Sequence, residues 1–506
     1  MVGGGRPTCW NNLILTALSF LSSQILAPLN LVFIEVRLRI ESMFSRFLDK
    51  KLTGPALILA GSTFLSALLG VLRDRLLAHT FGASRVLDIY TASFRIPDLV
   101  YNFLIAGGLA VAFLPVFAEY FSQDKDRAWK ATNYILNAFF LLLILFAIIF
   151  FFLTPYLANL ILPGFSVQEK SQAIALSRLL LLSPILMGLA NIFSSVIQYF
   201  RKFLIFGLAP LFYNLGIIFG ILFLAPRFGI FGVGVGVVMG ALCYFLSQFI
   251  WAVFCGFSWQ PLLDFKDDSL AKIFKLMVLR VVSVVSSQVS VLVMTAIAST
   301  IGLGAIAVFY FSNNLQSFAA GLVGVSFATA VFPILAQAVS ENNQKNFSRG
   351  FYSSFWQILW ISLAGSVLLF IFRDLAVKIL LGGGRFTSEA VKLTASAVGL
   401  FSFSIFAQAE NPLLLRAFFS LKEVKKPAFV SVAAMGLNIV LSWIFVRLLS
   451  GDNNLTRFLE SFLTGQKLPN FALLGLPLAF SISSIFQFLC LYFFLKEELS
   501  FTKTNG

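Results

Sequence analysis

Histidine is all but absent from this chain. With His79 the only one among 506 residues, a histidine-ligated metal cluster is excluded. Cysteine is nearly as scarce: Cys9, Cys243, Cys255 and Cys490 form no CxxC pair and no metal-ligand spacing, so core thiols are expected and no metal site. Charge is thin as well. Asp, Glu, Lys and Arg together make up 12%, against roughly a quarter in soluble domains, which excludes an ordinary soluble surface. No GxxxxGK[ST] stretch occurs, so ATP hydrolysed within this chain drives nothing. Short alternating apolar segments are missing too, and with them a transmembrane barrel.

What is present is grease. The chain is 59% hydrophobic with 60 phenylalanines, and its mean hydropathy is +0.91. Apolar runs of about 20 residues, the length that crosses a bilayer, recur along nearly the whole sequence. The class is an all-α polytopic membrane protein. Twelve spans are expected, near residues 54–77, 87–117, 131–153, 171–199, 203–225, 230–256, 271–299, 306–337, 350–372, 390–419, 427–449 and 470–495. Pro97, Pro115, Pro184, Pro210, Pro333 and Pro412 lie in or near spans, where each removes a backbone donor and bends its helix. Residues 1–53 form an N-terminal extension with an apolar stretch at 13–34. It reads as an extra helix, a signal-like segment or the product of a start assigned upstream of Met43.

The net charge of +15 sits mostly in short hydrophilic gaps, so it points to anionic lipid headgroups rather than nucleic acid. Basic residues concentrate in alternate gaps, around Lys125–Lys130, Arg201–Lys202, Lys266–Lys275, Lys345–Arg349 and Lys422–Lys426. The bias puts the core termini and the even-numbered gaps in the cytoplasm.

Two echoes divide the chain. AFLPVFAEYFSQDKDRAWK at 112–130 is answered by AVFPILAQAVSENNQKNF at 330–347, and Arg201, Lys202 and Asn214 are answered by Lys425, Lys426 and Asn438. Six spans separate the copies, an even number, so the halves are expected as parallel repeats about a pseudo-two-fold axis near the membrane normal. That gives an N-lobe at 54–256 (spans 1–6), a C-lobe at 257–496 (spans 7–12) and a cytoplasmic tail at 497–506. Two six-helix lobes around a central cleft are the frame of alternating-access transport.

The charges inside spans are the candidate site. One at bilayer depth costs at least about 2.5–3.5 kcal/mol, so each must face protein, cavity water or the interface. Arg73, Asp74, Asp88 and Arg95 crowd the first two spans, with Arg75 and Asp98 beside them. Buried arginine suits a phosphate, because its planar fork donates two parallel hydrogen bonds and stays charged. Arg178 and Arg280 can face the cleft or snorkel; Asn313 and Asn314 form a neutral polar patch. Glu410, six residues before Arg416 in a span broken by Pro412, is a coupling or a structural carboxylate.

The stretch GVLRDRLLAHTFGASRVLDIYTASFRIPDLVYNFL, followed by AFLPVFAEY, resembles the MurJ (also MviN) family of lipid II flippases. So do FYFSNNLQSFAAGLVGVSFATAVFPILAQ and AENPLLLRAFFSLKEVKKPAFV, and the similarity runs in register over residues 54–495. The resemblance implies the multidrug/oligosaccharidyl-lipid/polysaccharide exporter fold, with the two lobes around a V-shaped cavity. It also implies transfer of undecaprenyl-diphosphate-linked peptidoglycan precursor, lipid II, from the inner to the outer leaflet of the bacterial cytoplasmic membrane. Arg73, Asp74 and Asp88 stand at family positions. Other charged family positions hold Ala67, Tyr101, Ala106, Asn313 and Asn314 here, so Arg95, Arg178 and Arg280 are expected to compensate. Two C-terminal helices common in the family have no counterpart in the twelve spans.

The expectation is therefore a monomeric flippase, not an enzyme, with membrane lipids around it, no cofactor, and a cation gradient or the membrane potential as its drive. Its alternatives are an exporter of another polyprenyl-linked glycan, a drug/cation antiporter of the same superfamily, and a non-transporting scaffold for cell-wall enzymes. An antiporter for cationic drugs calls for an acidic cavity, which the arginines oppose.

Overall fold

The computed structural model describes residues 53–103, 109–264, 286–341 and 343–504. Contacts divide the chain into two units, Met1–Phe64 and Leu65–Gly506. Within the first, the described residues are helical, and the Ser62 hydroxyl donates to the Leu59 carbonyl at 3.1 Å. The apolar stretch 13–34 lies outside the described residues.

Apart from an isolated bridge between Gly383 and Phe386, all regular structure among the described residues is helical. In chain order the helices are α1 Thr53–Phe81, α2 Arg85–Ser93, α3 Arg95–Tyr101, α4 Leu109–Gln123, α5 Lys125–Ile161, α6 Val167–Leu180 and α7 Leu182–Tyr199. Then come α8 Phe203–Phe219, which runs through a π turn at Gly220–Leu224 into α9 Ala225–Phe228, and α10 Ile230–Phe254. The second series is α11 Ser286–Ile301, α12 Ala305–Ser340, α13 Gln344–Ile371, α14 Arg373–Leu381 and α15 Ser388–Ser402. It ends with α16 Ile405–Ser420, α17 Lys425–Leu449, α18 Asn454–Leu463 and α19 Gly475–Thr504.

Eight of the described helices are long and apolar enough to cross a membrane, or nine if α15 and α16, bent by 47°, are one broken span. The bend falls where Phe403 and Ser404 interrupt the ladder. The second expected span is not one rod either. Its described part is α2, α3 and α4, with Ser84 capping α2 and Pro97 in the first turn of α3.

Helices α2 to α10 pack chiefly on one another, as do those from α12 onward. Within the first bundle α8 and α10 approach closely because their facing residues are glycines. A Cβ on Gly216 would stand 2.3 Å from the Gly240 Cα, and one on Gly236 2.6 Å from the Gly216 carbonyl oxygen. Lipid offers no hydrophobic drive for helix association, so such close backbone contact supplies the attraction instead.

The bundles meet at one end of the molecule. There the Gly164 amide donates to the Ser299 hydroxyl at 3.2 Å and the Arg385 amide to the His79 carbonyl at 3.0 Å. Gly304 lies at the centre of this closure. Its φ of 78° is left-handed, and a Cβ there would stand 2.3 Å from the Ala83 carbonyl oxygen, so glycine is required twice over.

Candidate functional site

The last turns of α1 carry Arg73 and Asp74 toward α8 and α12. The Arg73 Nε and Nη2 donate to one oxygen of Asp74, at 3.0 and 2.8 Å, and Nη1 donates to the Asn214 Oδ1 at 3.0 Å. Nη2 also reaches the Tyr310 hydroxyl at 3.4 Å, across the bundle boundary. The second oxygen of Asp74 accepts from Asn314 Nδ2 at 3.1 Å, again across it. Of the five guanidinium hydrogens, then, one on Nη1 is left for a guest. Both side chains are largely buried, and with Tyr310 and Asn314 they line a cavity of about 430 Å³ between α1, α12 and the end of α14.

Arg95 is the second guanidinium of this region. Its nearest carboxylate is Asp98, 4.0 Å away, and its Nε is buried without a hydrogen-bond partner. Tyr310 lies within electrostatic reach of both Arg73 and Arg95. A buried cation this poorly satisfied is a natural anion site, since any incoming oxygen recovers hydrogen bonds now unmade.

Asp88 does something different. It is fully buried and accepts the amides of Gly304 at 2.7 Å and Ala307 at 2.9 Å, the first free N–H groups of α12. Arg85 stands 3.6 Å from it and 3.2 Å from Glu169. A carboxylate on a helix N-terminus satisfies donors that otherwise have none and meets the positive end of the helix dipole. Its partners are thus the closed end of the molecule rather than the cavity.

The remaining candidates scatter. Arg178 donates to the Phe151 carbonyl at 3.1 Å and lies 4.3 Å over the Phe151 ring, on the flank of α5 and away from Arg73. Asn313 accepts from Gln316 on its own helix at 3.0 Å and does not join its neighbour Asn314 at Asp74. Arg75 is exposed and bonds the Ile379 carbonyl. Glu410 is fully buried with neither carboxylate oxygen hydrogen-bonded, and forms no ion pair with Arg416. Arg280 lies outside the described residues.

Sequence reasoning overlooked Tyr310, and noted Asn214 only as one half of an echo. That echo carried a signal. Asn214 Nδ2 lies 3.5 Å from the Ser66 hydroxyl, and Asn438 Nδ2 donates to the Ser290 hydroxyl at 2.6 Å. Each pair is separated by the same 148 residues. The same bond is thus built in both halves, and among the described residues it holds an arginine in the first alone.

Helices of membrane-crossing length and a buried guanidinium on a cavity wall between two bundles are the features of the membrane-transporter class. The sequence profile of the lipid II flippase MurJ family matches residues 77–506, and the chain belongs to that family. It is a multi-pass membrane protein, consistent with the bacterial inner membrane, from a family that carries a lipid-linked substrate. A probable lipid II flippase MurJ of Buchnera aphidicola subsp. Schizaphis graminum is 28% identical over 444 residues, 86% of this chain and 82% of its own length. The solved structure of a lipid II flippase MurJ in an inward closed conformation is 24% identical, with a TM-score of 0.71 over 87% of each chain. An inward-facing multidrug resistance MATE family transporter of the MOP superfamily is 14% identical, with a TM-score of 0.66 over 89% of this chain and 99% of that one. These likenesses show the fold: all-α, polytopic and two-lobed.

Proposed function

We propose that this protein flips lipid II, the undecaprenyl-diphosphate-linked peptidoglycan precursor, from the inner to the outer leaflet by alternating access. The single observation that carries the reading is the Arg73 cluster, a buried guanidinium shared between the bundles on the wall of a cavity. A diphosphate is the guest that suits it, with Arg95 as a second donor whose Nε is unpaired. Because Asp74 occupies one edge of the Arg73 fork, the headgroup gains a bidentate grip by displacing it. Displacement also loosens the Asp74 bond to Asn314, so arrival of cargo weakens a contact that ties the bundles together.

In this reading the N-lobe is 54–256, the C-lobe 257–496, and both core termini are cytoplasmic. The closed end then faces the outer leaflet. The drive is the membrane potential or a cation gradient. One charge moved through 100 mV releases about 2.3 kcal/mol, enough to bias the return step without ATP. Glu410 is the coupling candidate, as a buried carboxylate that the protein leaves unpartnered.

The test is complementation of a cell depleted of its own lipid II flippase, comparing the parent chain with Arg73→Ala at matched expression. Growth with the parent and its loss in the variant are the expected result. Failure of the parent to complement sinks lipid II as cargo, and full growth of Arg73→Ala sinks the arginine's role and favours a scaffold.

A further inference from the structure

The segment between α17 and α19 reads in sequence as a hydrophilic gap, yet its helix α18 has three distinct faces. Thr456, Leu459 and Leu463 are buried against the protein. Asn454, Arg457 and Ser461 are polar and exposed. Leu455, Phe458 and Phe462, one residue ahead of the buried set on the helical wheel, are 39%, 61% and 52% exposed. A helix that needs only protein and water has two faces; a third, apolar and uncovered, needs a third surrounding.

The aromatic rings say which one. Phe458 stacks on Phe462 at 5.9 Å, Phe462 on Phe370 at 6.0 Å, and Phe370 meets Phe403 at 5.3 Å. Phe370 ends α13, whose outward surface of Trp360, Val367, Leu368 and Ile371 is more than half exposed, as lipid-facing side chains are. The uncovered face of α18 thus continues the membrane-facing surface of a spanning helix without a break. Its polar face is electrically quiet, because Arg457 pairs with Asp452 at 2.8 Å.

We infer that α18 is an in-plane helix seated at the bilayer interface, its Leu455, Phe458 and Phe462 face in contact with phospholipid at the boundary between headgroups and acyl chains. Three surroundings then account for three faces: protein, lipid and water. The helix also fastens that interface to the break in the α15–α16 span, since Phe403 lies in the break and Arg373 donates to the Leu463 carbonyl at 3.4 Å. The inference does not depend on the identity of the cargo.

Photo-crosslinking tests it. The photoreactive residue p-benzoylphenylalanine is introduced at Phe458, at Phe462 and, as polar-face controls, at Asn454 and Ser461, in the full chain reconstituted into nanodiscs of phosphatidylethanolamine and phosphatidylglycerol. After irradiation, mass spectrometry of the intact protein is expected to find phospholipid adducts at 458 and 462, severalfold above 454 and 461. Two apolar-face sites keep the result readable if one substitution disturbs folding. Equal yields on both faces, no adducts at 458 and 462, or cross-links there to a second copy of the chain in place of lipid overturn it.

Discussion

The two bundles share a bond and differ in what they do with it. Asn214 and Asn438 occupy matching helices, and each reaches a serine 148 residues earlier in the chain. In the first bundle Asn214 turns its oxygen to Arg73, and through Tyr310 and Asn314 the cluster joins the other bundle. In the second, Asn438 bonds Ser290, the Met294 sulfur and Ser442 among the described residues, beside a cavity of about 340 Å³ whose described lining residues carry no charge. Among the described residues, the repeated asparagine bond is thus joined to a charge in the first bundle and not in the second. The lesson is that repeated architecture places the polar group, while the side chains around it differ between the halves.

The largest effect expected is at Arg73. Arg73→Ala leaves Asp74 buried without its cation, which costs about 3–5 kcal/mol and should lower the thermal unfolding temperature as well as abolish complementation. Arg73→Lys separates the two. It keeps the charge and much of the stability but loses the planar fork, so growth falls while the unfolding temperature holds.

Next come the paired asparagines. Asn214→Ala and Asn438→Ala should each destabilise by about 1–3 kcal/mol, because both leave buried partners unmade. Only Asn214→Ala should slow flipping beyond what lost folded protein explains. Equal transport defects in a reconstituted assay would erase the distinction between the halves.

Where the bundles touch, Asp88→Asn keeps the shape of the cap but removes its charge and one of the two oxygens that accept the Gly304 and Ala307 amides. A loss of about 1–3 kcal/mol is expected at the α12 terminus, because one buried amide is left unpaired. Accessibility of single cysteines near Ala83 to a water-soluble reagent should rise if that end opens more readily.

The smallest effect is on the surface. The Asp452 carboxyl is held below its ordinary range by its hydrogen bond to Arg457. A depressed folded value means the contribution is present above the unfolded value, near pH 4, and is lost as pH falls through the folded one. Asp452 is fully exposed, so Asp452→Asn should leave the unfolding temperature at pH 7 within error, and what difference exists should vanish in acid.

Much of this molecule could be read from the linear chain, and for a definite reason. A backbone in lipid must satisfy its own hydrogen bonds within each segment, so every crossing helix writes itself as a long apolar run. All twelve expected spans contain helix in their described parts. Charges inside such runs are costly enough to stand out, which is how Arg73, Asp74 and Arg95 were found. The short helix α18 escaped, because five apolar residues in ten, divided between a buried and an exposed face, look like a polar gap until their exposure is known.

The chain alone determined the class and the place of most long helices, and it singled out the charges that lie inside them. Only the tertiary structure decided their partners. Asn214 and Tyr310 lie 141 and 237 residues from Arg73, and no local pattern records a hydrogen bond closed over that distance. Rotation of a helix about its axis is equally silent in sequence. It turned Arg178 onto Phe151, and it brought Asn314 but not Asn313 to Asp74. Hydropathy is a property of segments and can be summed along the chain; a site is a set of directions, and directions exist only once the helices are packed.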